Sequence, residues 1–411
     1  MQKSEVIDTL SRFMVTIVRD GQVPPEVFVA FNGTDKERIK RMWRNANDTY
    51  ALFKEISTRG SAELIGKPSS VSIKLGSTPY FVLNFPSARV VVPFDIVDES
   101  VHDDIVSEIL HVVVVRSGKS FVAKEVTPLI TKAKTERGAE LYEYAKSNGI
   151  PLHVIPAVAY GYVPDDRIAN LMLWRFFSLF RVGTTLHAVE LTSVNSGKTT
   201  FAVRNKFTFN WEYIDEPPSP AKLIMDARDN ALGVVYRSNG VFIDEVDKYA
   251  KDLEDSIPVM LSGMSHGIWT RAKGSSSTPN VIRHINVYLA GNKDVMAFQV
   301  NARQYVSDFL KAKKLNPTLV DALMDRVAIV ITDNSPVNAS DKVSGKVIMD
   351  SYLRGYVAYV SELANKELKD TGISEGRRRQ QANAVYALCR VATDIEDCET
   401  FAQQVVTGVT V

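Results

Sequence analysis

The sequence predicts an α/β core, a parallel sheet flanked by helices, with a helical C-terminal lid after it and a separate N-terminal α+β domain before it. Three stretches predict the core. At residues 186–204 an apolar strand pattern runs into the small-residue loop Ser193-Val194-Asn195-Ser196-Gly197 and then into the helix-compatible Lys198-Thr199-Thr200-Phe201-Ala202-Val203-Arg204. At 241–245 the apolar run Val241-Phe242-Ile243 delivers two adjacent carboxylates, Asp244 and Glu245. At 285–292 a further apolar strand ends in the polar Asn292. Strands that alternate with helical segments in this way belong to layered α/β folds.

The first stretch is built as a phosphate-binding loop. Backbone N–H groups of Asn195, Ser196, Gly197 and Thr200 can point at an anion, Lys198 adds a compact positive charge, and the Thr199 hydroxyl can ligate Mg²⁺. The pattern G-x-x-x-x-G-K-[ST] calls for glycine at 192, where this chain has Thr192. Asn195 at the loop apex is a residue that can visit left-handed backbone conformations. The second stretch supplies the other half of phosphoryl transfer: Asp244 for the Mg²⁺ shell and Glu245 to polarise an attacking water.

Length and composition bound the remaining possibilities. A chain of 411 residues can form two or three domains with sizeable cores. Hydrophobic content of 45% and charged content of 24% are ordinary for a soluble protein, and a net charge of +1 confines any nucleic-acid surface to a local patch. Cys389 and Cys398 are the only cysteines, so neither a disulfide framework nor a four-cysteine zinc site can form, as expected in a reducing cytosol. No apolar run is long enough to span a membrane, and Met1-Gln2-Lys3-Ser4-Glu5 lacks a signal-peptide core, so a cytoplasmic protein without membrane contact is expected. The six histidines show no ligand-pair spacing.

In chain order, residues 1–150 read as the N-terminal domain. Val6, Leu10, Phe13, Met14 and Val18 recur at helical spacing, and 35–57 continues as a helical stretch whose basic face (Lys36, Arg38, Lys40, Arg41, Arg44) reads as solvated. Residues 71–74, 80–83 and 88–92 read as strands, and 111–126 as a hairpin with a basic tip at Arg116-Ser117-Gly118-Lys119. A helix is expected over 128–148. Residues 151–183 read as a linker and a lead-in helix capped by Asp165 or Asp166. The core then spans 184–340, with a second strand expected at 233–236, and the helical lid spans 341–411.

These motifs, in this order, carry a resemblance. Glu190-Leu191-Thr192-Ser193-Val194-Asn195-Ser196-Gly197-Lys198-Thr199, Ile243-Asp244-Glu245-Val246-Asp247-Lys248, Trp269-Thr270-Arg271-Ala272-Lys273-Gly274 and Leu323-Met324-Asp325-Arg326-Val327-Ala328-Ile329-Val330 are similar to the phosphate loop, acidic strand end, pre-sensor hairpin tip and arginine-finger segment of AAA+ P-loop ATPases. The branch is the one that includes the MCM replicative helicases and the BrxL ATPases of BREX phage-defence systems. The resemblance covers roughly residues 165–400. It implies ATP and Mg²⁺ as cofactors, and Asn292 as a sensor orienting water or γ-phosphate. Arg326 is implied to be a finger reaching a neighbouring subunit, Arg378 or Arg379 the lid's sensor arginine, and Arg271 and Lys273 DNA contacts in a central channel.

An arginine directly before a buried strand supports the finger independently, because a guanidinium is seldom buried without a partner. A start of three arginines, Arg377-Arg378-Arg379, on a helix is unfavourable against the helix dipole and calls for an anion nearby. The expected protein is a homo-oligomeric, hexameric ring that moves single- or double-stranded DNA as a helicase or translocase. Two alternatives stay open: an AAA+ ATPase that remodels protein, with aromatic pore contacts such as Trp269, and a DNA-binding ring that binds nucleotide without hydrolysing it.

Overall fold

The computed structural model describes residues 3–30, 35–74, 77–98, 102–129, 135–226, 231–270, 281–293, 301–332, 337, 341–343, 345–374 and 376–407. At its centre five strands form an all-parallel sheet: β1 (His187–Thr192), β2 (Trp211–Ile214), β3 (Gly240–Ile243), β4 (Asn286–Asn292) and β5 (Val327–Ile331). Their spatial order is β2-β3-β4-β1-β5. Every residue of β1 and β3 is buried, which is why these strands read as nearly continuous apolar runs. Side chains alternate between two cores: Val189, Leu191, Val241, Ile243, Val287 and Leu289 fill one, while Ala188, Phe242, Tyr288 and Ala290 fill the other.

Connections leave β1 toward β2 on one side and return from β4 past β1 to β5 on the other. The carboxyl ends of β1, β3 and β4 therefore border the crevice where the strand order reverses, the place such sheets bind ligands. The strand expected at 233–236 is instead the short helix Val234–Arg237, and the second strand is Trp211–Ile214. Periodicity cannot separate a short apolar run in a helix from one in a strand.

The N-terminal region, read as α+β, holds a mixed, mainly antiparallel sheet with strands Ala62–Gly66, Ser70–Lys74, Tyr80–Asn84, Arg89–Pro93, Leu110–Ser117 and Ser120–Pro128. Helices Lys36–Asn47 and Thr49–Arg59 are capped by Asp35 and Asp48, whose carboxylates accept backbone N–H bonds. The basic face of the first helix is engaged inside the domain: Arg38 and Arg41 pair with Glu63, and Lys40 pairs with Asp20 and Glu37. A ribbon from the core, Met225–Asp226 with Ala231–Leu232, extends this sheet, Ala231 standing opposite Ser72. Buried Lys67 crosses the same seam and donates to Asn210 Oδ1 at 2.7 Å.

Both ends of the 1–150 stretch pack with the C-terminal helices. Met14–Thr16 pairs antiparallel with Lys346–Ile348. The helix expected at 128–148 spans Thr135–Ser147 and lies on Asp350–Lys366, so closely that a Cβ on Gly138 would fall 1.9 Å from the Gly355 carbonyl oxygen. The cause is apolar: Leu141, Tyr142 and Ala145 share one core with Leu353, Tyr356 and Val360.

The lead-in helix Asp166–Phe177 is capped by Asp165, which accepts the Ile168 N–H at 2.8 Å. Helices Gly376–Ala392 and Cys398–Thr407 complete the C-terminal region. Cys389 and Cys398, whose scarcity pointed to a reducing compartment, are joined in a disulfide. The turn between the two helices brings their Cα atoms to 5.6 Å, a separation a bridge spans. Among the described residues, no helix is long and apolar enough to cross a membrane.

Candidate nucleotide-binding site

The candidate phosphate loop follows β1 and opens the helix Lys198–Thr208. Asn195 and Gly197 both take left-handed conformations, with φ of 67° and 86°. At 197 glycine is required twice over, since a Cβ there would also stand 2.7 Å from the Tyr162 hydroxyl. The helix starts without a side-chain cap, which leaves its first N–H groups to a ligand. Lys198 is buried, and its Nζ donates to Thr192 O (3.3 Å), Thr192 Oγ1 (3.0 Å), Ser193 O (3.1 Å) and Ser196 Oγ (3.3 Å). Burial pulls the Lys198 ammonium below its ordinary pKa, against the pull of Glu190.

The acids stand where β3 ends. Asp244 Oδ1 accepts the Glu245 N–H at 2.9 Å and Oδ2 accepts the Tyr213 hydroxyl at 3.1 Å. Burial raises the Asp244 carboxyl, and burial together with Asp244 pushes the Tyr213 hydroxyl up to about 12. Glu245 adopts φ 56° and ψ 29°, left-handed values that cost a non-glycine residue about 1 kcal/mol or more and gather at functional sites. Its carboxylate pairs with Lys248. At the end of β4 the Asn292 N–H donates to Asp247 Oδ1 at 2.8 Å, and the absence of a side chain at Gly291 lets Asp247 approach.

The loop and these strand ends meet at one cavity of ≈ 620 Å³, lined by Val194, Asn195, Ser196, Gly197, Lys198, Thr199 and Thr200 from the loop and by Asp244, Glu245 and Asn292 from the neighbouring strand ends. Tyr162, Tyr213, Val337 and Lys342 complete the wall. Sequence reasoning missed these four. Tyr213 sits on an edge strand whose apolar signal is weak, and Tyr162 and Lys342 meet through an isolated bridge between distant segments. The Thr199 hydroxyl and Asp244 carboxylate are hard oxygen donors suited to Mg²⁺, which is commonly held by one or two protein oxygens plus the phosphates themselves. Among the described residues, no group of three or more His, Cys, Asp or Glu forms a metal cage.

Arg326, Arg378 and Arg379 do not reach this cavity. Val327, next to Arg326, pairs with His187 at the opening end of β1, five residues from Thr192 and so roughly 17 Å away along the strand. The Arg326 guanidinium donates to Leu261 O (3.0 Å), Ser265 Oγ (2.6 Å) and Ala322 O (2.5 Å), so within this chain it holds its own helix ends. Arg378 bonds Asp325 at 3.3 Å, Gln381 donates to the Arg326 carbonyl at 2.7 Å, and Arg379 pairs with Asp370. The anions that the arginine-rich helix start calls for are thus aspartates. The start of Gly376–Ala392 packs against the turn before β5, which draws it to the sheet end opposite the phosphate loop. Arg271 and Lys273 lie outside the described residues. Trp269 is fully buried and donates its indole N–H to Arg283 O at 2.7 Å, so it is a core residue and not a pore contact.

The fold is MCM-like in its architecture. A full-length MCM homolog from Methanopyrus kandleri superposes with a TM-score of 0.51 over 100% of both chains, at 12% identity, a likeness of fold alone. No family model matches the sequence. The chain belongs to the family of the uncharacterized protein ORF425 of Acidianus filamentous virus 2, with which it is 50% identical over 421 residues, covering 97% of this chain and 99% of that protein. It is also similar to the uncharacterized protein ORF426 of Acidianus filamentous virus 1 (27% identity; 70% and 72% of the two chains). A third relative is the uncharacterized protein 440 of Sulfolobus islandicus rod-shaped virus 1 (28%; 71% and 68%).

Proposed function

We propose that the protein is an ATP-hydrolysing motor that works as a ring, a DNA helicase or translocase of MCM type. One observation carries the reading: Lys198, Thr199, Asp244, Glu245 and Asn292, from three separate strand ends, line a single cavity. Phosphoryl transfer needs an anion cradle, a cation, hard-oxygen metal ligands and a polarised water, and each need has a residue here.

Lys198 gives up the Thr192 and Ser193 carbonyls to meet the phosphates beside the N–H groups of 195–200 and keeps its hydroxyl partners Thr192 and Ser196. Thr199 and Asp244 hold Mg²⁺, which supplies charge neutralisation on the phosphate oxygens when bound. Glu245 releases Lys248 and accepts the proton of the attacking water, and Asn292 orients that water. Arg326 and Arg378 stand together at the sheet end opposite their own phosphate loop, so in a hexameric ring they serve the next subunit's site, where a cation stabilises charge on the transferred group. Arg271 and Lys273 contact DNA phosphates in the channel, a binding that weakens steeply with salt. Lys273→Ala is expected to abolish DNA stimulation and spare basal hydrolysis.

Protein as the substrate is the second reading. Ile268 and Ile282 face each other across the antiparallel pair of Ile268–Trp269 with Val281–Ile282, and both are exposed, an apolar contact that DNA does not need. The deciding experiment is hydrolysis of ATP by the purified protein with and without single- and double-stranded DNA, beside Glu245→Gln. Hydrolysis that rises with DNA and disappears in the variant supports the DNA motor. Hydrolysis indifferent to DNA favours protein remodelling, and a protein that binds ATP without hydrolysing it is a nucleotide-stabilised ring only.

A further inference from the structure

Thr192 occupies the position that the phosphate-loop pattern gives to glycine. Its backbone belongs to β1 and is not left-handed, so glycine's freedom is not needed there. Its side chain is fully buried and bonded on every side. The hydroxyl donates to Glu190 Oε1 at 2.7 Å and lies 2.8 Å from Ser196 Oγ and 3.0 Å from Lys198 Nζ. A hydroxyl has one proton, and here it goes to the carboxylate. Ser196 must then donate to Thr192 Oγ1, which leaves the Ser196 oxygen to accept from Lys198 (3.3 Å) and from Arg175 Nη2 (3.2 Å). Glu190 in turn is fixed from three further directions: by Arg175 Nε and Nη2 at 3.0 and 2.5 Å, and by the Tyr288 hydroxyl.

We infer that Thr192 is a positioning residue of the nucleotide site, its hydroxyl carrying the orientation of the buried Arg175–Glu190 pair to Ser196 and Lys198. This deepens the nucleotide-binding reading and rests on it. Where the pattern relies on the openness of glycine, this loop is held in its binding shape by a chain of hydrogen bonds. That chain begins on the helix Asp166–Phe177 and on β4 and ends at the phosphate cradle.

The test uses full-length protein and titrates a fluorescent ATP analogue with Mg²⁺ into wild type and into Thr192→Val, Thr192→Ser and Thr192→Gly, with steady-state hydrolysis and a melting curve for each. Valine fills the same volume without the hydroxyl, and it is expected to weaken binding about tenfold, the scale of one hydrogen bond to a charged network. It should raise KM more than it lowers kcat. Serine should restore binding to within about twofold, and glycine should be as weak as valine.

Valine binding as well as threonine, or glycine binding better, would mean that Thr192 only fills space and would overturn the inference. If Thr192→Val does not fold, Ser196→Ala interrupts the same chain from the loop side. A comparable loss there supports the inference and unchanged affinity overturns it. Failure of wild type to bind the analogue at all is the distinct outcome that removes the nucleotide reading itself, and this inference with it.

Discussion

Arg175 and Glu190 form a two-point ion pair with neither side chain exposed to solvent, beneath the phosphate loop and between the lead-in helix and β1. Burial alone would push the Glu190 carboxyl up; Arg175, with Lys198 and Tyr288, overcomes it and holds the group below the usual carboxylate range. Breaking such a pair leaves one buried charge uncompensated. Arg175→Met or Glu190→Gln is expected to cost about 3–5 kcal/mol in denaturant unfolding, and the double variant less than the sum of the two. Strict additivity would show that the two side chains are energetically independent.

Arg326 invites a mixing experiment. If it acts on the neighbouring site, Arg326→Ala and Glu245→Gln are each inactive alone, while a mixture regains hydrolysis at interfaces that pair an intact Glu245 with an intact Arg326. The arginine also ties Leu261, Ser265 and Ala322 together, so the melting temperature of Arg326→Ala should fall as well. A mixture no more active than its parts would confine Arg326 to that structural role.

Stability should vary with pH through two buried groups of opposite sense. Burial lowers His187 from its ordinary 6.5 to about 4, and its Nδ1 accepts the Val287 N–H at 3.1 Å in the neutral ring. The unfolded chain takes up a proton below 6.5 that the fold refuses, so stability is lost as pH falls from about 6.5 toward 4. Burial raises Glu108 to about 7, against Lys67 and Arg354. Here the fold binds the proton more tightly, so stability declines as pH rises from about 4.5 to 7. Glu108→Gln should flatten that decline and stabilise the protein at neutral pH by on the order of 1–3 kcal/mol, measured by urea unfolding across pH. An unchanged slope would place Glu108 outside the balance.

The disulfide closes a short loop between two helices, a sequence separation of 9 residues. Reduction, or Cys398→Ser, should cost about 2–3 kcal/mol and lower the midpoint of thermal unfolding. Thiol titration of the unfolded, unreduced protein should find no reactive cysteine. Two titratable thiols would show the bridge open in solution.

Much of the site was legible because its chemistry is local. Gly197, Lys198 and Thr199 need only a strand before them and a helix after them. Asp244, Glu245 and Asn292 need only to follow buried strands, and each is a polar residue at the end of an apolar run. A cap at Asp165 or Asp166 and the hairpin near Gly118 were readable for the same reason, since turn and cap chemistry involves neighbours within a few positions, and the structure chose Asp165. The edge strand Trp211–Ile214 was not, because its mixed polar pattern carries little periodicity. The pairing of Met14–Thr16 with Lys346–Ile348 and the packing of Thr135–Ser147 on Asp350–Lys366 were also invisible, because they join distant segments through a strand edge and apolar faces that could meet any partner.

The sequence by itself determined which loop and strand-end residues line the candidate site, since spacing of a few residues along strand ends dictates their geometry. Only the tertiary structure decided that Thr192 is locked to Glu190 and Arg175, and that Tyr162, Tyr213 and Lys342 close the cavity. It also decided that Arg326 and Arg378 gather at the opposite end of the sheet. Those relationships join segments far apart in the chain, and their partners are chosen by strand order and buried packing, which no local pattern encodes.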